Sequence, residues 1–239
     1  MKEQVQFIDL GRQRAYKDIW QIQEEMLQQK VQQKRSVIGG DDAIIIKPMP
    51  SHHLFFVEHN PVYTLGKSGQ ISNVLLSEEA LAEKGIEFFK INRGGDITFH
   101  GPGQLVGYPI LDLEKFKTDL GWYLRSLEEV IILTMAEYDL KGERSSGETG
   151  VWLDASLPGK ERKICAMGIR CSRWITMHGW AFNVNTDLHY FNNIIPCGIQ
   201  NKQVTSLQKE LGKSVNMDEV KEKVLQNFRK VFNVEVLVG

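Results

Sequence analysis

The chain has 239 residues, of which 42% are apolar and 25% charged, which is typical of a globular protein with one large or two small domains. Its 29 Lys and Arg against 30 Asp and Glu leave a net charge of −1, whereas a generic nucleic-acid binder is usually strongly basic. No apolar run approaches the roughly 20 residues of a membrane helix, so a transmembrane protein is excluded.

Apolar residues recur at helical spacing in three long segments. Ala15, Ile19, Ile22, Met26 and Val31 predict a helix over 15–35, Leu120 to Met135 predict one over 120–138, and a third opens at Asn216 with Glu219 as its capping-box partner. A shorter helix over 77–84 begins at the N-cap Ser77 and stops at Gly85. Extended segments are predicted at 43–47, 54–58, 86–91, 106–111, 151–153, 163–170, 181–184 and 234–238.

This mixture of helices and strands predicts a single α/β or α+β domain over residues 1–239. Residues after about 205 are set apart as a candidate small C-terminal appendage. Between the second long helix and the next strand, the composition of residues 142–150 favours a mobile loop. The N-terminus lacks the hydrophobic core of a secretory signal, so we expect a cytoplasmic protein with free thiols at Cys165, Cys171 and Cys197.

Two partial nucleotide-binding motifs are rejected on their spacing. The sequence Gly66-Lys67-Ser68 resembles the end of a P-loop, but Pro61 stands where that motif requires a glycine. The loop Gly101-Pro102-Gly103 lacks the spacing of a pyrophosphate-binding turn. Phosphate binding by either segment is therefore not expected.

The segment from Arg93 to Gln104 is the densest in glycine and contains a proline. Glycine permits close approach of the backbone to another group, and Arg93, Thr98, His100 and Gln104 add donors and acceptors. These features favour a binding loop, and the alternative is a tight connection with solvated polar residues.

Cys197 lies between Pro196 and Gly198, which is typical of a loop nucleophile rather than of a core residue. Cys165 and Cys171 are expected to be small buried apolar residues. A free thiol has a pKa of roughly 8.5, so a cysteine nucleophile needs a neighbouring cation or base. Lys163 could act as an ammonium or as a neutral base, or its side chain could reach water from a strand end. His178 is an alternative base.

His52, His53 and His59 show no metal-ligand spacing, so no metal site is expected.

Together these segments resemble the lipoyl(octanoyl) transferase family of lipoate biosynthesis. The resemblance covers residues 58–207. It lies in Glu58-His59-Asn60-Pro61-Val62-Tyr63-Thr64-Leu65-Gly66, Arg93–Gln104 with Tyr108-Pro109, Lys163–Arg170, Ser172-Arg173-Trp174, His178–Asn185, Pro196-Cys197-Gly198-Ile199 and Val204-Thr205-Ser206-Leu207.

The resemblance implies a fold similar to biotin and lipoate protein ligases, with a mixed β-sheet flanked by helices. It implies that Cys197 takes an octanoyl group from acyl carrier protein as a thioester and that Lys163 lowers the pKa of this thiol. The implied acceptor is a lysine of an apo lipoyl domain, in 2-oxoacid dehydrogenase complexes or the glycine cleavage H protein. The substrate-binding residues carried over are Arg93, Gly94, Gly95, Asp96, Ile97, Thr98, Phe99, His100, Ala166, Met167, Gly168, Gly179, Trp180 and Ala181.

Neither ATP, a metal, a nucleic acid nor a membrane is expected as cofactor or partner. Two alternatives remain: an ATP-dependent lipoate or biotin ligase of the same fold, and a non-catalytic protein that binds lipoyl domains. Because carrier proteins and lipoyl domains are typically acidic, Lys160, Arg162, Arg170 and Arg173 are candidate docking charges.

Overall fold

The computed structural model describes residues 2–38, 52–195 and 203–238. Its helices are α1 Tyr16–Ile38, α2 Glu78–Glu83, α3 Leu120–Ala136, α4 Leu207–Leu211 and α5 Met217–Phe232. Its strands are β1 Gln4–Asp9, β2 His52–Val57, β3 Val62–Leu65, β4 Glu87–Lys90, β5 Ile97–His100, β6 Gln104–Ile110, β7 Val151–Leu153, β8 Arg162–Ser172, β9 Ile175–Asn183, β10 Gln203–Val204 and β11 Glu235–Val238.

Within the described residues, eight strands form a mixed sheet in the order β10-β8-β9-β6-β2-β1-β11, with β7 also paired to β8. The long antiparallel pairs β8–β9 and β9–β6 form its centre. A second sheet has the order β4-β3-β5. The mixed α/β fold expected from the sequence is therefore present, with residues 97–100 of the glycine-rich segment in the smaller sheet and Lys163 in the larger one.

Helices cover both faces of the large sheet. On one face α3 and α5 pack with the sheet in one apolar cluster that includes Leu127, Ile131, Val224 and Phe228. On the other face α1 contributes Ile19 and Met26. Burial of this apolar surface is the main stabilising contribution of each layer.

The C-terminal segment shares the main core. Helix α5 begins at its N-cap Asn216, whose side chain accepts hydrogen bonds from the backbone N–H groups of Asp218 and Glu219. Strand β11 pairs in parallel with β1. Residues 217–238, which the sequence analysis sets apart, thus add a helix to the core and an edge strand to the large sheet.

Several local predictions need correction. Residues 97–100, part of the predicted binding loop, form strand β5, and the strand predicted at 181–184 is the end of the longer β9. Strands β1 and β3 lie outside the predicted strands, and the strand predicted at 43–47 lies outside the described residues.

In α1 the predicted stripe is buried at Ile19 and Met26 but wrong at Ile22. Ile22 is exposed, whereas Gln23 is fully buried. The physical reason is a hydrogen bond, because the Gln23 side-chain oxygen accepts from the backbone N–H of His178 at 2.9 Å.

No helix within the described ranges combines the length and the apolar character needed to cross a membrane.

Candidate functional site

A narrow cavity collects most of the residues predicted from the sequence. Its volume is about 90 Å³. Residues from β5, β8, β9, α1 and the loop 93–96 line it. The predicted residues that line it are Arg93, Gly95, Asp96, Ile97, Thr98, His100, Lys163, Ala166, Met167, Gly168, Gly179, Trp180 and Ala181. Three segments separated by about 60 and 10 residues in the chain therefore meet at one site.

The wall from β8 and β9 is built by strand register. Ala166 pairs with Ala181, and Gly168 pairs with Gly179. A Cβ on Gly168 would lie 2.7 Å from the Gly94 carbonyl oxygen, so only glycine lets the loop 93–96 lie this close to β8. The backbone N–H of Gly94 donates to Ile169 O at 2.9 Å and fixes the loop there.

Arg93 is buried and anchors the loop to β3. Its Nη2 donates to the Thr64 carbonyl oxygen at 2.7 Å and to Thr64 Oγ1 at 3.0 Å, and its Nη1 donates to Gly94 O at 3.0 Å. A buried guanidinium is stable only where its donors find acceptors. These bonds fix the position of one wall of the cavity.

Beside Arg93 lies a group that we call the histidine–tyrosine cluster: Tyr16, His59, His100, Tyr108 and His178. His59 Nε2 lies 2.8 Å from the Tyr108 hydroxyl, His100 Nδ1 lies 2.9 Å from Gln104 Oε1, and the Tyr16 and His100 rings stack at 5.8 Å. Burial lowers the pKa of His59 to about 4 and the pKa of His100 well below its usual range. The imidazoles are therefore neutral at pH 7.

His178 differs from His59 and His100 because neither of its ring nitrogens has a hydrogen-bond partner within the described part of the chain. It is 2% exposed and lines the cavity. Burial, with Arg93 and Arg170 nearby, lowers its pKa to about 3. His178 pairs with Ile169, six residues along β8 from Lys163, which is about 20 Å of strand.

Lys163 marks the other end of the lined stretch of β8. Its Nζ lies 4.5 Å from the centre of the Trp152 ring and 3.8 Å from Glu148 Oε2. Its side chain is 16% exposed. Lys163 is the second residue of β8, so it does lie near a strand end. Its side chain nevertheless lines the cavity and does not extend into solvent, which was the alternative left open by the sequence.

Two of the predicted residues that the structure describes, Gly94 and Phe99, do not line the cavity. Gly94 contributes its backbone N–H to β8, and Phe99 points away and stacks on Tyr190 at 4.4 Å. Cys197 lies outside the described residues. Ile195 precedes this region, and Val204, which follows it, pairs with Lys163 and lines the cavity.

Gln104, considered above as a polar group of the binding loop, and His178, considered as an alternative base, also line the cavity. The lining residues that were not predicted are Tyr16, Tyr108, Thr149, Asn183, Phe191 and Val204. Gln104 Nε2 donates to Asn183 Oδ1 at 2.9 Å, so these two buried amides form a pair. A polar residue inside an otherwise apolar strand was the available signal for Asn183. Tyr16 had none, because an aromatic residue at the start of a helix is typical of core packing.

Cys165, Cys171 and His52 lie away from the cavity lining. Burial raises the pKa of Cys165, which is fully buried, and that of Cys171. His52 Nε2 lies 3.2 Å from Glu3. Within the described ranges no group of three His, Cys, Asp or Glu side chains could hold a metal ion.

Two of the four candidate docking charges are held in ion pairs. Arg162 binds both oxygens of Glu210 at 2.7 Å and also contacts Asp154. Arg170 contacts Glu24 of α1. Lys160 is exposed, as is Arg173.

The chain matches one family model and is similar in sequence to curated octanoyltransferases. Residues 15–229 match the family model of the lipoyl protein ligase A/B catalytic domain. The chain is 55% identical to the octanoyltransferase of Flavobacterium psychrophilum over 99% of this chain and 100% of that protein. It is also 55% identical to the octanoyltransferase of Christiangramia forsetii over 99% of each.

Among solved structures, the chain is similar to a bi-partite lipoate protein ligase from Thermoplasma acidophilum. The TM-score is 0.71 at 14% identity, with 100% of this chain and 87% of that chain covered. This likeness shows the fold.

Proposed function

Since the chain belongs to the lipoyl(octanoyl) transferase family and is therefore an acyltransferase, we propose that it transfers an octanoyl group from acyl carrier protein to apo lipoyl domains. The proposed acceptors are the lipoyl domains of 2-oxoacid dehydrogenase complexes and the glycine cleavage H protein. We place the reaction in the cytoplasm as the first step of endogenous protein lipoylation, without ATP or a metal.

The proposed reaction has two steps. The Cys197 thiolate attacks the carbonyl carbon of the octanoyl thioester, the C–S bond to the carrier breaks, and the carrier leaves as a thiolate that takes a proton from water. The neutral ε-amine of the acceptor lysine then attacks the enzyme thioester and gives up one proton to water, the C–S bond breaks, and Cys197 is released as a thiolate while the amide forms. Aminolysis makes the sequence favourable, since an amide is more stable than a thioester.

The observation that carries the proposal is the convergence of Lys163 with the glycine-rich segments on one narrow cavity. Ile97, Met167 and Ala181 give the cavity apolar walls, and burial of each methylene of an acyl chain is worth about 0.8 kcal/mol. Lys163 as an ammonium would stabilise a neighbouring thiolate or a developing oxyanion. This is the role we assign to it.

Intact-protein mass spectrometry after brief incubation with octanoyl-acyl carrier protein, without ATP, tests the proposal. We expect an octanoyl adduct on Cys197 that is labile to hydroxylamine and disappears when apo lipoyl domain is added. The Cys197→Ala variant should form no adduct, and Cys171→Ala is the matched control that should form it normally.

The same experiment separates the alternatives. Transfer that requires ATP and free octanoate or lipoate, with no adduct on Cys197, would indicate a ligase instead. Binding of lipoyl domain with no transfer from either donor would indicate a non-catalytic binding protein.

A further inference from the structure

The segment 142–150, which its composition predicts to be a mobile loop, is bonded to the buried carboxylate of Glu128. Glu128 Oε2 lies 2.6 Å from Arg125 Nη1 and 3.1 Å from Arg144 Nε, and its Oε1 accepts from the backbone N–H of Gly150 at 3.0 Å. A fully buried carboxylate with these donors is satisfied and holds the segment against α3.

The same segment also lies directly against β8. Gly150 has φ of +113°, and a Cβ there would lie 2.5 Å from the Cys165 carbonyl oxygen and 3.5 Å from Lys163 Cε. The hydroxyl of Thr149 donates to Met167 O at 3.3 Å. The chain therefore passes over the Lys163 side chain at a position that only glycine allows.

This path brings Glu148 to Lys163. We propose that Glu148 is a positioning residue that holds the Lys163 side chain as an ammonium at the cavity. The carboxylate lies 3.8 Å from Nζ on one side, and the Trp152 ring lies 4.5 Å away on another. A carboxylate and the face of an aromatic ring both attract a positive charge at Nζ. The inference rests on the proposed function and assigns Lys163 the role of a cation rather than of a general base.

Two other charged groups near Lys163, Glu128 and Arg162, have ion pairs of their own among the described residues. Glu128 binds Arg125 and Arg144, and the neighbouring Arg162 binds Asp154 and Glu210. Within the described residues, Glu148 is the carboxylate that contacts the Lys163 ammonium.

The test measures the amine of Lys163 directly. The full chain is labelled with trace acetic anhydride from pH 6 to 11, and acetylation of Lys163 is quantified by mass spectrometry relative to exposed lysines. In Glu148→Gln we expect the Lys163 profile to move to lower pH, so that labelling at pH 8 rises about three- to ten-fold. Glu148→Asp, which keeps the charge, should restore most of the wild-type profile.

Glu129→Gln is the matched control, because Glu129 is a neighbouring carboxylate that pairs with Arg144 and has no contact with Lys163 among the described residues. Its Lys163 profile should match that of wild type. Identical profiles in Glu148→Gln and wild type would overturn the inference, as would an equal shift in Glu129→Gln.

A second measurement separates this inference from the proposed function. The pH dependence of Cys197 alkylation by iodoacetamide should differ between Glu148→Gln and wild type. The melting temperatures of the two proteins should lie within a few degrees of each other. If wild type forms no octanoyl adduct, the proposed function fails. If the adduct forms and neither profile shifts, only the role of Glu148 fails.

Discussion

The two ends of the cavity are held by different kinds of contact. At the histidine–tyrosine cluster, buried rings pack against each other and Arg93 donates three hydrogen bonds to buried or loop acceptors. At the other end, Lys163 has an ion pair at 3.8 Å and a ring contact at 4.5 Å. The first set of contacts fixes shape and contributes to stability, whereas the second places one charge and contributes little to stability. The two ends should therefore respond to mutation in opposite ways.

Lys163→Met gives the largest expected effect on activity. Loss of the ammonium should reduce octanoyl transfer about 100-fold or more, while the free energy of unfolding falls by only about 1 kcal/mol. Transfer is measured with carrier-bound octanoate and apo lipoyl domain, and stability by urea unfolding. Lys141→Met, whose side chain is 87% exposed, is the control and should keep normal transfer. Retention of more than about a third of wild-type transfer would remove the distinction between the two ends.

Arg93→Met should show the converse balance. It leaves the buried Thr64 oxygens without their donor and should lower the free energy of unfolding by roughly 3 kcal/mol. Urea unfolding measures the change, with the exposed Arg35→Met as a control expected within about 0.5 kcal/mol of wild type. A variant as stable as wild type would show that the guanidinium is not a structural anchor.

The meeting of the motif segments was more predictable from the sequence than the strands that bring them together. The motif segments meet in one cavity, as expected, because Ala166 pairs with Ala181 and the Gly94 N–H bonds to Ile169. Neither pairing has a local signal in the sequence, so the resemblance to a family had to supply it. Strand β5 was missed because glycines flank its four residues and obscure the alternation of a strand.

The predicted mobility of residues 142–150 shows a different limit. Serine and glycine in this segment are typical of a loop, and the segment is one. Its position depends on Glu128, 22 residues before Gly150 on α3, and the sequence does not distinguish this buried glutamate from its neighbour Glu129. Long-range hydrogen bonds to buried carboxylates are set by tertiary structure.

The histidine–tyrosine cluster should make the free energy of unfolding depend on pH in the acid range, through His178. The pKa of His178 is about 3 in the folded chain against 6.5 for an exposed histidine, so the unfolded chain takes up the proton first. The contribution of this group to stability is fully present above pH 6.5 and is lost as the pH falls toward 3. At pH 4.5 the loss amounts to about 2–3 kcal/mol.

His178→Asn removes the titration and keeps a residue that tolerates the observed φ of +60°. Between pH 7 and 4.5 its free energy of unfolding should fall by about 2–3 kcal/mol less than that of wild type. Equal slopes in the two proteins would mean that His178 is not desolvated in the folded chain.

Cys165→Ala compares two positions on one strand and should have the smallest effect. Lys163 lines the cavity, whereas Cys165, two residues later, is fully buried in the core beside α3. Because burial raises the pKa of the Cys165 thiol, it stays protonated and is a poor nucleophile. Alanine removes one sulfur atom and should cost about 1 kcal/mol of stability, with octanoyl transfer within about twofold of wild type. Transfer reduced tenfold in a stable Cys165→Ala variant would place reactive chemistry on the core side of β8. Transfer should instead be unchanged in Cys165→Ala and lost in Lys163→Met. Together these results would place the reactive chemistry on the cavity side of β8, where Lys163 contacts Glu148.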